Sequence, residues 1–206
     1  MKRLVMVSLL LAAIVVASAP GSVSRAQTTT EPLDPLASVP VAYCNVAPRT
    51  PLDLAALAQG PANPDGTDIR EPIRAVVGAG EPADAVVAIA VDAVMVQLAA
   101  CLNSGDYGRV YALFSDQALA VILLPEDIAL VASGTPEPIP ADQGFLPPIV
   151  WDVRIQPDGR VTAIVEFDGE YALVTFVWNG ERYLIELYDD QIDPNAVPPV
   201  ASPVGG

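Results

Sequence analysis

The chain has 206 residues, with 25 Asp and Glu against ten Lys and Arg and no His, a formal charge of −15 at pH 7. A surface this acidic repels phosphate backbones and anionic headgroups, so neither nucleic acid nor a membrane surface is an expected partner. Without His, the commonest general base near neutral pH and the commonest metal ligand are both missing, and no Ser-His-Asp or Cys-His set can be built.

Lys2 and Arg3 precede an apolar run from Leu4 to Ala17, and small residues follow, which is the pattern of an export signal. Cutting after Ala19 would leave Pro20 at the new terminus, so the Ser24-Arg25-Ala26 site is preferred and residues 1–26 are assigned to the signal. Cleavage leaves seven Arg against all 25 acids and a formal charge of about −18. The expected location is extracytoplasmic, in a bacterial setting, with no membrane span after cleavage.

Residues 27–81 form a Pro-rich arm with one local helix signal. Thr50 is a cap, Pro51 suits the first helical position, and Asp53 is an acid in the first turn, with Leu52, Leu54 and Leu57 as the apolar face. Gly60 to Thr67 reads as a loop. Its Asn63 and Asp65, with Asp68, faintly resemble a calcium loop but lack the terminal bidentate Glu, so no metal site is predicted. Cys44 and Cys101 are expected to form one disulfide, stapling the arm to a helix. The bridge would close a loop of about 57 residues, worth roughly 4 kcal/mol in the chain-entropy model. A free thiol pair is the alternative, since two Cys without His do not complete a metal site.

Residues 82–190 carry the folded domain. Pro82 to Leu102 predicts a long apolar helix, with Asp84, Ala88, Asp92, Ala99 and Asn103 on one stripe and Cys101 opposite. Asp92 and Gln97 near the middle make bilayer insertion costly, so a core helix packed on two sides is expected. Gly105 suits a left-handed stop, Asp106 caps a helix at Tyr107 to Phe114, and Ser115 caps another through Leu123. A helical turn is possible at Glu126 to Ala132, and the five prolines of Ser133 to Pro148 predict an extended segment.

Four strands follow, at Ile149–Gln156, Arg160–Phe167, Glu170–Trp178 and Glu181–Tyr188, joined by Pro157-Asp158-Gly159, Asp168-Gly169 and Asn179-Gly180 turns. The loop lengths pair Ile155 with Val161, Trp151 with Val165, Val165 with Ala172, and Phe176 with Tyr183. One face then collects Ile149, Trp151, Val153, Ile155, Val161, Ala163, Val165, Phe167, Ala172, Val174, Phe176, Trp178, Tyr183, Ile185 and Leu187. The other is mixed, with an apolar middle at Ile164, Leu173, Val177 and Leu184. Residues 191–206 are expected to be a disordered tail.

Helices followed by an antiparallel meander, with Cys101-Leu-Asn-Ser-Gly-Asp-Tyr107 leading into Tyr111-Ala-Leu-Phe-Ser-Asp116, resemble the cone-shaped α+β superfamily of nuclear transport factor two. That superfamily includes ketosteroid-isomerase-like and polyketide-cyclase-like proteins. The resemblance implies a pocket between the helices and a concave sheet. Its lining candidates here are Tyr107, Tyr111, Trp151, Phe176, Trp178 and Tyr183, with Asp106 and Asp116 as the weak alternative for a catalytic base. Because the apolar sheet face carries no acid, the expectation is a non-catalytic exported domain without a cofactor, binding a small apolar ligand or a protein. An isomerase- or dehydratase-like enzyme with a helix-borne Asp, and an acidic homodimer joined through the mixed sheet face, are the alternatives.

Overall fold

The computed structural model describes residues 33–59 and 77–189. The export signal, the Asn63–Asp68 loop and the 191–206 tail lie outside the described residues. Those described form an α+β fold of five helices and a five-stranded antiparallel sheet whose strands lie in chain order.

Local chemistry sets the helix ends. Helix α1 (Pro51–Ala58) begins in a capping box, the Thr50 hydroxyl accepting from the Asp53 N–H and the Asp53 carboxylate from the Thr50 N–H. Helix α2 (Ala85–Ser104) starts later than the expected Pro82, because Glu81–Pro82 forms a short edge strand, β1, and the Asp84 carboxylate caps the Val87 N–H. It ends at Gly105, whose φ of 66° is the expected left-handed stop. Asp106 and Ser115 cap α3 (Tyr107–Tyr111) and α4 (Asp116–Ile122). In α5 (Pro125–Ser133) the Asp127 carboxylate returns to the Leu124 N–H.

The sheet comprises β2 (Ile149–Ile155), β3 (Val161–Phe167), β4 (Glu170–Trp178) and β5 (Tyr183–Asp189), with β1 on β2. The first two hairpin turns form as expected, with Gly159 at φ 86° and Asp168-Gly169 at φ 53° and 80°. The β3–β4 register also matches, Val165 facing Ala172 and Ala163 facing Val174.

Two bulges correct the rest. Ile155 pairs with Val161 and Arg154 with Thr162, but Trp151 pairs with Ile164 rather than Val165, the shift falling between Trp151 and Arg154. Asp152 absorbs the extra residue at φ 49°, in a region Asp enters more readily than most residues, and its carboxylate holds the Arg154 guanidinium at 2.8 Å. Ile149 and Trp151 therefore turn to the outer face, and Val150 replaces them against the core. The last hairpin closes through four residues, Asn179 to Arg182, because the Asn179 side chain accepts from the Glu181 and Arg182 N–H groups. Trp178 thus pairs with Tyr183 and Phe176 with Ile185, a two-residue slip that keeps each on its expected face. A second shift, at Thr175/Phe176, then puts Leu187 opposite Thr175 on the outer face and Tyr188 opposite Val174 on the inner one.

The main core packs the inner sheet face (Val161, Ala163, Val165, Val174, Phe176, Ile185) with Val91, Val94, Met95 and Leu98 of α2 and with Val39 and Val46 of the arm. A smaller core joins α1, α4 and α5 through Leu54, Leu119 and Leu123. On the outer face Thr162, Ile164, Leu173 and Thr175 are also buried, and Trp151 sits edge-on to Tyr171 at 5.7 Å. Part of the β5 edge is occupied. Beyond β5, the Ile185 N–H donates to Leu113 O and its carbonyl accepts from the Ser115 N–H, both at 2.8 Å.

The arm is tied to α2 at three adjacent points. Cys44 and Cys101 form the expected disulfide, with Cα atoms 4.8 Å apart. One turn earlier the Gln97 amide donates to Asn45 Oδ1 at 2.6 Å. Half a turn later the buried Asn103 carboxamide donates to Val39 O and Phe145 O and accepts from the Phe145 N–H. The paired substitution Cys44→Ala/Cys101→Ala is expected to lower unfolding free energy by about 4 kcal/mol, read from urea titration of the oxidised wild type and the variant. Asn103→Ala leaves buried backbone groups of Val39 and Phe145 without their partner, and should cost about 3 kcal/mol in the same measurement.

Candidate functional site

A groove of about 700 Å³ opens where the arm, the α2–α3 junction and the segment after α5 meet. One wall is Pro48 to Pro51. The floor is Leu102 with Gly105 to Gly108, and the far wall is Leu130 and Val131 of α5 followed by Gly134 to Pro140.

Its construction depends on two glycines. Gly105 stops α2 in the left-handed region, and a side chain there would run into the backbone of Glu137, so the proline-rich segment lies directly over it. The Ile139 N–H donates to Asn103 O at 2.8 Å and fastens that segment to the end of α2. A Cβ on Gly108 would meet Arg49 O at 3.0 Å and Pro48 Cβ at 3.2 Å, while the Arg49 N–H donates to Gly108 O at 2.9 Å. The Arg49 guanidinium turns away from the groove's centre. It donates to Tyr111 O and Phe114 O and pairs with Asp116 at 2.7 Å.

The side chains singled out from sequence divide among four places. Tyr107 lines the groove and is 39% exposed. Tyr111 packs against the smaller core, and burial, helped by a hydrogen bond to Asp127, pushes its phenol above the usual range. Phe176 is fully buried in the main core, and beside it Trp178, half-exposed, meets Tyr183 edge-on at 5.1 Å. Trp151 is on the opposite face of the sheet from these three. Its indole Nε1 is buried without a hydrogen-bond partner.

The two candidate carboxylates are engaged. Asp106 lines the groove, but one oxygen accepts from the Arg109 N–H at 3.1 Å and the other faces Arg109 Nε at 3.0 Å. Asp116 stands in the first turn of α4 and holds Arg49. Glu137, also in the lining, is exposed. The walls that sequence reasoning missed are Pro48, Leu130, Val131 and the Gly134–Pro140 segment. Its only advance signal is the alternation of Pro136, Pro138 and Pro140, which marks an extended strap but not what it faces. An arrangement of prolines, aliphatic side chains, one tyrosine ring and two carboxylates suits binding.

No family model, curated protein or solved structure matches the chain.

A further carboxylate, Asp92, is set in the middle of α2. Asp92 is exposed, with Ala88, Ile89 and Val96 as apolar helical neighbours, and partial desolvation raises its carboxyl above the ordinary value of 3.8. Val86 and Ile89 on the same helix are 75% and 69% exposed, so this flank of α2 is not covered along its length. A raised native pKa means that the folded chain binds the proton more tightly than the unfolded chain, so the Asp92 carboxylate opposes folding at neutral pH. Asp92→Asn should therefore raise the thermal midpoint at pH 7. The gain should vanish below pH 3.8, where wild-type Asp92 is protonated in both states.

Proposed function

We propose that the chain is an exported, non-catalytic binding domain whose ligand occupies the groove around Tyr107. The observation that carries this reading is the groove itself, concave and of ligand size, walled by prolines, aliphatic side chains and Tyr107, with its Asp106 carboxylate engaged by Arg109. Support for export comes from the N-terminal signal pattern, and the Cys44–Cys101 bridge is compatible with an oxidising, extracytoplasmic location. The cone-shaped arrangement of the nuclear-transport-factor-two superfamily is the proposed setting. Helices before an antiparallel sheet support it, as does α2 packed on the inner sheet face. In that setting the usual pocket position is filled, since Phe176 and Ile185 are fully buried beneath α2, and the ligand site has moved outward to the helix junction.

Catalysis is the weaker reading because the carboxylates available for it, Asp106 and Asp116, already serve Arg109 and Arg49. A neutral aromatic probe tests the binding reading. Indole added to isotope-labelled protein should saturably shift the resonances of Tyr107, Leu130, Val131 and Ile139, and Tyr107→Ala should weaken that binding at least threefold while leaving the fold intact by circular dichroism. Shifts centred on Trp178 and Tyr183 would move the site to the end of the sheet and overturn the assignment.

A further inference from the structure

Five of the residues lining the groove are prolines, Pro48, Pro51, Pro136, Pro138 and Pro140. None has an N–H to offer; the Pro51 carbonyl belongs to the first turn of α1 and that of Pro140 accepts from the Gln143 N–H, while Pro48, Pro136 and Pro138 each add a carbonyl without a donor, so the lining is short of hydrogen-bond donors. Charge has the same bias. The Arg49 guanidinium is spent on Asp116 and on the carbonyls of Tyr111 and Phe114, and that of Arg109 on Asp106 and the Cys44 carbonyl, whereas the Glu137 carboxylate is exposed at the strap. Tyr107 presents a partly exposed ring between the walls. Around them the chain carries a net charge of −15, which raises the local concentration of cations and repels anions.

We infer that the groove takes an extended, arginine-bearing segment of a partner protein. This rests on the groove being the binding site and adds the chemistry of its occupant. The extended backbone supplies N–H donors to walls that offer carbonyls, as in the recognition of extended peptides by other grooves. A guanidinium fits the remaining features better than an ammonium. It is planar and weakly hydrated, it stacks on the Tyr107 ring, and it reaches a carboxylate through two parallel N–H bonds, here that of Glu137.

The test uses the oxidised protein and three blocked peptides, Arg-Pro-Arg-Pro-Arg, Gln-Pro-Gln-Pro-Gln and Glu-Pro-Glu-Pro-Glu, followed by calorimetry and by resonance shifts. The arginine peptide should bind best and the glutamate peptide should show no binding. Affinity for the arginine peptide should fall about threefold in Glu137→Gln, the scale of an exposed charge pair. It should fall about threefold in Tyr107→Leu, which keeps an apolar filler but removes the ring. Raising the salt concentration should weaken the arginine peptide and leave indole unaffected. Equal binding of the arginine and glutamine peptides, or an unchanged affinity in Glu137→Gln, overturns the inference. If indole still shifts Tyr107 and Leu130 in that case, the groove remains a binding site with a different occupant. If neither probe reaches it, the groove assignment falls as well.

Discussion

Three chain segments that are far apart in sequence meet at the buried carboxamide of Asn103. Its nitrogen donates to Val39 in the arm and to Phe145 before the sheet, and its oxygen accepts from the Phe145 N–H. Gly144 permits this closeness, because a Cβ there would come within 2.9 Å of the Asn103 oxygen. The constraint is strict. A buried amide is worth little net energy when all its partners are present, and costs far more when one is removed. Around this point the neighbouring residues of α2 do related work: Cys101 bonds covalently to the arm, the Asn103 carbonyl fastens the proline strap, and Gly105 leaves room for it. The last turn of one helix thereby positions the arm, the strap and the groove between them.

The sheet shows how one inserted residue redistributes side chains. Because the strand period is two, the bulge at Asp152 moves Ile149 and Trp151 outward and brings Val150 inward, and the shift near Glu186 exchanges Leu187 for Tyr188. Each bulge is held by an arginine. Arg154 engages Asp152, and Arg160 reaches Glu186 at 3.4 Å while pairing with Asp158. With Trp151 on the other face, the inner face is closed by aliphatic groups and Phe176 against α2.

Much of the local structure was legible in the residues. Thr50 and Asp53, Asp106, Ser115 and Gly105 mark helix boundaries through contacts within a few positions of themselves, and the turns at Gly159 and Asp168-Gly169 follow from residues that tolerate positive φ. The Cys44–Cys101 pairing followed from there being only two cysteines. Other features were less legible. Pro82 looked like a helix start, but together with Glu81 it pairs along β2, and the helix waits for the Asp84 cap. The Asn179-Gly180 pair suggested a two-residue turn, but the Asn179 side chain captured the Glu181 and Arg182 N–H groups and lengthened it.

The sequence by itself determined the caps at Thr50, Asp106 and Ser115, the first two hairpin turns, the disulfide and the inward face of β3 and β4, since each depends on near neighbours or on strict alternation along a strand. Tertiary structure alone decided the two bulges, the burial of Asn103 and the groove. A bulge is chosen by whether its partner strand and the core accept the displaced side chains. Pro48, Tyr107 and Pro138 become one surface only because Asn103, Gly105 and Gly108 bring three distant segments within contact distance.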